Sequence, residues 1–464
     1  MVAGLILAGC ARYQPRPLSP GDSAARLEAR TLENPTLKEF LERNSGHLWT
    51  NWPPETWNFE ALNLAALFYH PSLDVARAQW QVASGEKTTA AARPNPTLSA
   101  VPGYDINAAS GISPWFPAVT FDLPLETAGK RGYRMAHARH LSESARLNML
   151  AASWQVRSSL RLSLIEFTTA RQREALLQKQ KSIQERIIRA LEQQVQAGAA
   201  SSAELTSVQI ALSRLRLDLL DAQQQSAEAR TRVAESVGVP STALGKVELT
   251  YDAAPSAAKV AGLTSAAVRQ KALETRADIL SSLAEYAAAQ SALQLEVAKQ
   301  YPDVHLGPGY QYDQGDHKLS LSLTVELPIL NQNQGPIAQA EARRTEAAAR
   351  FNALQAKIIA EIDRAAASFQ AAQESLASFE SLVTAQENRR SLLEAQAKAG
   401  AATEFDLLNA QLELAASELL QLNGRFKWLQ SLGALEDAVQ QPLDSTLSAL
   451  AEPPSRSLSG KGKP

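Results

Sequence analysis

The side chains that could bind a metal or move a proton are few and scattered in this 464-residue chain. Its histidines are His47, His70, His137, His140, His305 and His317. Only His137 and His140 share a helix face. Without carboxylate support they read as a solvated helix surface before they read as a metal pair. There is no P-loop, no nucleophile set beside a base and no cluster with metal-ligand spacing, so no enzyme chemistry is expected and no metal site is assigned. Two carboxylates stand out by context instead. Glu204 and Asp406 lie in two matching stretches, Gln196-Ala-Gly-Ala-Ala-Ser-Ser-Ala-Glu-Leu205 and Lys398-Ala-Gly-Ala-Ala-Thr-Glu-Phe-Asp-Leu407.

Each stretch interrupts two long Ala- and Gln-rich segments and reads as the bend of a helical hairpin. Gly198 and Gly400 stop the incoming helix, because glycine takes the left-handed conformation cheaply. Ser201-x-x-Glu204 and Thr403-x-x-Asp406 have the pattern of capping boxes that start the outgoing helix. Capping accounts for both carboxylates, and a role facing a channel is compatible with it. Gly198, Ala199, Ser201, Gly400, Ala401 and Thr403 make small-residue tips. These are tight turns, and they also leave a surface that another chain can approach closely.

Composition sets the class. Aromatics are 6% of residues and the net charge is −2. Sparse aromatics and thinly spread apolar residues fit extended helices packed side by side. Neither the charge nor any basic patch with interleaved aromatics points to nucleic acid. No run of about 18 apolar residues occurs, so any membrane span has to be made of strands. The single cysteine, Cys10, cannot form an intrachain disulfide. It ends Leu7-Ala-Gly-Cys10, which resembles the lipobox of bacterial lipoproteins, where cleavage precedes the cysteine and the thiol receives diacylglycerol and the new amino group an acyl chain. The alternative is a chance cysteine in an apolar N-terminus. Beyond that lipid, no cofactor is expected.

Residues 1–10 are then a signal or lipobox remnant, and 11–56 a Pro-rich tether with a short helix near Thr36–Arg43. Residues 57–240 form one unit of helix, two strands and long helical hairpin. Its helical pattern breaks near His70-Pro71, and its strands are expected over 97–107 and 118–123. The following helix, from Lys130 to the first bend, would be about 100 Å long. The outgoing helix carries Leu205, Val208, Leu212, Leu215, Leu219, Ala222, Ser226, Ala229 and Val233 at steps of 3 and 4, a sustained heptad seam. Residues 241–262 are a linker. Residues 263–435 repeat the order, with one helix over 263–299, strands over 303–313 and 318–327, and a last helix ending near Leu432. Residues 436–464 are a tail.

The two units align directly, giving an internal two-fold repeat. Pro96-Thr-Leu-Ser-Ala-Val-Pro-Gly-Tyr104 matches Pro302-Asp-Val-His-Leu-Gly-Pro-Gly-Tyr310, and Phe121-Asp-Leu-Pro-Leu125 matches Val325-Glu-Leu-Pro-Ile329. Four strands cannot close a sheet around an interior, and open edges are not tolerated in lipid. Three chains with four strands each would give twelve, an even number that suits an outer-membrane barrel. Leu319, Leu321, Leu323 and Val325 alternate with Ser320, Ser322, Thr324 and Glu326, so one face can meet lipid and the other water.

With both repeats and both bends in view, residues 57–435 resemble the TolC-type outer-membrane efflux proteins. Arg93-Pro-Asn-Pro96, Leu125-Glu-Thr-Ala-Gly-Lys-Arg131 and Leu327-Pro-Ile-Leu-Asn-Gln-Asn-Gln-Gly335 are most similar to the cobalt-zinc-cadmium subgroup. The resemblance implies a mainly α fold with a small β part: a homotrimer with a twelve-stranded transmembrane β-barrel, continued by a long periplasmic α-helical barrel. It implies a Gram-negative outer-membrane location, a periplasmic adaptor protein and an inner-membrane RND-type pump. In the family the bends form the periplasmic end of the tunnel, where adaptor tips engage and acidic residues ring the closed entrance. By position from each bend glycine, the ring falls on Asp406 and Glu204. A second acidic position of some relatives falls on Asn409 and Ser207, which departs from a double ring.

The expectation is a passive export duct, with divalent heavy-metal cations as first cargo and drugs or other organic solutes as second. The competing reading is a lipid-anchored coiled-coil scaffold of the envelope. A scaffold has no need for four amphipathic strands at repeated positions.

Overall fold

The computed structural model describes residues 13–46, 48–245, 247–251, 262–263 and 265–442. The lipobox with Cys10, linker residues 252–261 and the tail from residue 443 lie outside the described residues. The fold is mainly α with a small β part. No helix among the described residues is long and apolar enough to cross a membrane. Contacts divide the chain into two compact units, Met1–His70 with Ser159–Asp252 and Gln386–Leu422, and Pro71–Ser158 with Ala253–Ala385 and Asn423–Pro464.

The first unit holds α1 (Pro20–Glu28), α2 (Pro35–Ser45), β1 (Thr56–Trp57), α3 (Phe59–Tyr69), the second half of α5 (Lys130–Gln196), α6 (Ser202–Val237) and β4 (Glu248–Leu249). It also takes the end of α9 (Gln334–Lys398) and the first half of α10 (Glu404–Val439). The segment read as a Pro-rich tether with one short helix thus holds two, α2 over the expected stretch and α1 before it. Pro20 and Pro35 start helices rather than break them, each following a capping residue, Ser19 or Asn34. Leu37, Phe40 and Leu41 then fall on one face and are buried, with Phe40 packed 5.4 Å from the ring of Phe68. Arg30 fastens the segment by donating to the carbonyls of Tyr69 (2.6 Å) and Gly238 (2.8 Å). β1 pairs in parallel with β4, which the sequence reading placed in a linker. Along α6 every seam position from Leu205 to Val233 is buried or half-buried. Leu219 and Ala222 pack on Leu177, with Leu419 of α10 alongside.

The second unit holds α4 (Pro71–Ala91), β2 (Thr97–Val101), β3 (Ala118–Leu125), the first half of α5, α7 (Ala266–Thr275), α8 (Ala277–Ala298), β5 (Val304–Asp313), β6 (Asp316–Val325), most of α9 and the end of α10. Where one helix was expected over 263–299, the chain breaks at Arg276, whose backbone is extended (ψ 136°). The Arg276 side chain holds the break, bonding the Ala438 carbonyl and pairing with Asp278 at 2.7 Å. α10 runs past Leu432 to Val439 because Leu435, Ala438 and Val439 continue its buried stripe against Ile279, Ile358 and Ile362. Beside this core Arg157 and Glu436 form a buried ion pair at 2.8 Å.

β2, β3, β5 and β6 form one antiparallel sheet in that order.

Candidate functional site

The two bends sit in the first unit and are nearly the same structure. In the first, the N–H of Gly198 donates to Val195 O (3.0 Å) and that of Ala199 to Gln194 O (2.8 Å). In the second, Gly400 donates to Ala397 O (3.1 Å) and Ala401 to Gln396 O (2.8 Å). Both are Schellman ends, which satisfy the last free carbonyls of a helix. They require a residue at positive φ, and the glycines have φ of 74° and 76°. A Cβ at either glycine would meet nothing within 4 Å. Glycine is needed here for its backbone, not for room. Gly198, Ala199, Ser201, Gly400, Ala401 and Thr403 are all exposed.

The outgoing helices differ at their caps. Ser201 Oγ accepts from the Glu204 N–H at 3.1 Å. Thr403 Oγ1 accepts likewise from Asp406 N–H (3.2 Å), and the Asp406 carboxylate returns the bond, taking the Thr403 N–H (3.0 Å) and hydroxyl (2.6 Å). The second box is closed in both directions. Asp406 is held below the usual aspartate range, first by the Thr403 hydroxyl and then by its N–H. Glu204 and Asp406 are both exposed. At the further positions, Ser207 Oγ donates to the Glu204 carbonyl (2.7 Å), and Asn409 is half-buried.

Beneath the tips the hairpins are joined. Ile183 and Ile187 of α5 pack on Leu408 and Ala415 of α10, with Val208 and Phe405 beside them. Lys179 pairs with Glu418 (2.7 Å) and Arg186 with Glu404 (3.4 Å) across the two hairpins. Such exposed pairs contribute little each, so the apolar contact carries the joint. These cross-hairpin partners lie more than 200 residues apart in the chain, and no local pattern marks them.

The sheet of the second unit has two unlike faces, since antiparallel partners share a face. The registers Leu98↔Phe121, Leu123↔Leu306, Leu306↔Leu323 and Pro308↔Leu321 gather an apolar face from all four strands. Its residues on β6 are highly exposed: Leu319 is 85% and Leu321 75% accessible. Tyr310, Tyr312 and His317 cluster at one end of this face, where Tyr310 Oη and His317 Nδ1 lie 2.7 Å apart. The opposite face is polar and small. On it Gly307 and Gly309 have no Cβ, and Ser322 and Ser320 lie over them, with Ser322 Oγ bonded to Gly307 O at 3.0 Å. Less volume on that face lets the sheet curl towards it.

The motifs flanking the strands tie them to the helices. Thr127 and Lys130 both bond Asp303 Oδ1 (2.9 and 2.8 Å), Arg134 forks onto Glu126, and Arg131 donates to Ala91 O. Asn333 reaches Glu296 from the other motif. His137 Nδ1 bonds the Ala288 carbonyl (2.9 Å), which ties the ring to a helix neighbour. Among the described residues no group of three or more His, Cys, Asp or Glu side chains is placed to hold a metal. The sequence reading passed over a different histidine contact: His305 Nδ1 lies 3.0 Å from Asp122 Oδ2 on the polar face. Both occupy polar positions of amphipathic strands, but only the β3–β5 pairing brings them together.

Two matched helical hairpins and one amphipathic four-stranded sheet, whose outer strands β2 and β6 have no further strand partner among the described residues, define a mainly helical protein with a small sheet. The family model described as "Outer membrane efflux protein" matches residues 65–239 and 268–439. The chain belongs to this family. It is 25% identical over 221 residues to the cobalt-zinc-cadmium resistance protein CzcC of Cupriavidus metallidurans, a match that covers 47% of this chain and 51% of that protein. The match thus spans about half the length of this curated relative. Among solved structures, the outer membrane protein VceC of Vibrio cholerae matches with a TM-score of 0.66 at 22% identity, covering 83% of this chain and 97% of that one. The CmeC outer membrane channel of Campylobacter jejuni matches with a TM-score of 0.65 at 15% identity, covering 92% and 94%. At these identities the structural likeness speaks for the fold.

Proposed function

We propose that the chain is the outer-membrane channel subunit of a tripartite efflux system, a passive homotrimeric duct that carries out no chemistry. The observation that supports this most is the sheet, with one exposed apolar face and unpaired outer edges on β2 and β6 among the described residues. Three copies joined edge to edge would close twelve strands and leave no edge in lipid. β6 has ten residues, the length that a tilted strand needs to cross a bilayer. The polar face would line the lumen, and the helical hairpins would continue as a periplasmic α-helical barrel. Purified full-length protein is expected to run as a heat-resistant trimer in detergent and to give single-channel conductance. A monomer or dimer without conductance would instead favour the lipid-anchored coiled-coil scaffold.

The two bends are the contact for a periplasmic adaptor that links the duct to an RND-type pump, through Gly198, Ala199, Ser201, Gly400, Ala401 and Thr403. Asp406 and Glu204 are the gate carboxylates, three copies of each around the entrance. Like charges in such a ring attract cations and repel one another, so other contacts must hold it shut. Replacing Gly400 with tryptophan should weaken crosslinking to the adaptor while trimers still form. Unchanged crosslinking would remove the bends from the interface.

The similarity to CzcC supports divalent heavy-metal cations as cargo, drawn from periplasm or pump. Deleting the gene should lower tolerance to cobalt, zinc or cadmium; lowered tolerance to drugs alone would assign organic solutes instead. Cys10 carries the lipid anchor in the outer membrane. The mass of the N-terminal peptide decides this, since an unmodified cysteine rules the anchor out.

A further inference from the structure

We propose that His305, held by Asp122, is a weak coordination site for a divalent transition-metal ion on the polar face of the strand segment. The proposal rests on the duct reading for its place in the lumen, and on geometry alone for its chemistry. A carboxylate only accepts hydrogen bonds. The contacts from Asp122 Oδ1 and Oδ2 to His305 Nδ1, at 3.2 and 3.0 Å, therefore put the ring proton on Nδ1 and the lone pair on Nε2. This is the arrangement by which a carboxylate fixes the tautomer and orientation of a metal-binding imidazole. No protein group bonds Nε2 among the described residues, and the side chains are 41% and 44% exposed.

The local sequence builds the pair. The register from Thr120↔Gly309 to Leu123↔Leu306 sets Asp122 against Gly307. Because that position has no side chain, the imidazole two residues away can lean across to the carboxylate. A side chain at Gly307 would already collide with Ser322. On its other flanks His305 faces Pro124 and Thr324, neither of which offers a competing charge.

One imidazole completed by water makes a weak site, which is what passage requires: a conducting path must bind a cation well enough to admit it and loosely enough to release it. Imidazole nitrogen suits zinc and its neighbours rather than magnesium or calcium.

The test uses the full chain in detergent, titrated with zinc chloride by calorimetry at neutral pH. Wild type should bind one equivalent per chain more than His305→Ala. Asp122→Asn should keep that equivalent with affinity lowered about tenfold or more. Equal stoichiometry and affinity in wild type and His305→Ala would overturn the site. In planar bilayers carrying potassium current, zinc should reduce wild-type conductance and leave His305→Ala unaffected. Wild-type pores that ignore saturating zinc would overturn its place on the path. Failure to form any pore would sink the duct reading, while calorimetry still decides the binding claim.

Discussion

Glu436 sets a carboxylate oxygen 2.8 Å from the Arg157 guanidinium, with the two side chains 3% and 2% exposed. The next two residues are tied as well: Trp154 Nε1 donates to Asp437 at 2.9 Å, and Arg276 takes the Ala438 carbonyl. The last turn of α10 is thus fixed by three side chains from α5 and from the break between α7 and α8. Removing one member of a buried pair takes a close countercharge from the other. Glu436→Ala should therefore cost about 3–5 kcal/mol. Thermal unfolding checks this, and a midpoint equal to wild type would show that Arg157 is rehydrated or re-paired without loss.

The bend glycines should respond to backbone strain and not to bulk. Gly400→Ala should cost about 1 kcal/mol locally, because alanine is strained at positive φ while its Cβ touches nothing. Gly400→Asn should cost less. Hydrogen exchange of amides 399–401 reads this. Equal protection in all three proteins would mean the bend does not hold its φ in solution.

The cap at Asp406 sets a pH window. Its folded value lies below that of an ordinary aspartate. The ionised cap therefore contributes fully above the unfolded value of about 3.9, and is lost as pH falls through the lower folded value. A nitroxide at Ala401 should show constant mobility from pH 8 to 5 and loosen only below about pH 4. Thr403→Ala, which removes the partner hydroxyl, should cost about 1 kcal/mol and loosen the tip at every pH. Loosening of the wild type already at pH 6 would contradict the assignment.

Gly424 of α10 lies under the ring of Phe379 of α9, where an added Cβ would come within 2.5 Å of the ring. Gly424→Ala should destabilise by about 1–3 kcal/mol through overpacking. Phe379→Leu in the same chain should recover part of this. Additive losses in the double variant would show that the two positions do not share the contact.

The hairpins were legible in the sequence because their signals are local: a glycine at the helix end, a hydroxyl and a carboxylate three residues apart, and a seam at steps of 3 and 4. Strand positions followed from alternation for the same reason, although β2 ends at Val101 rather than running to 107 as expected. Of the two N-terminal helices, α2 covers the stretch expected near Thr36–Arg43, whereas α1 was missed because Pro20 looks like a breaker until Ser19 before it is weighed as a cap. The break at Arg276 left no mark, since no glycine or proline stands there and the kink is held by contacts to Asp278 and Ala438. The Asp122–His305 pair was invisible for a related reason: the residues are 183 apart, and only the β3–β5 register makes them neighbours.

β6 offers ten residues at the outer edge of the sheet, whereas β2 at the other edge has five. A lone chain in water therefore carries an adhesive strip beside a row of bare leucines, and it will stick to whatever extended peptide it meets first. Low expression should favour properly assembled protein, and overexpression should yield inclusion bodies.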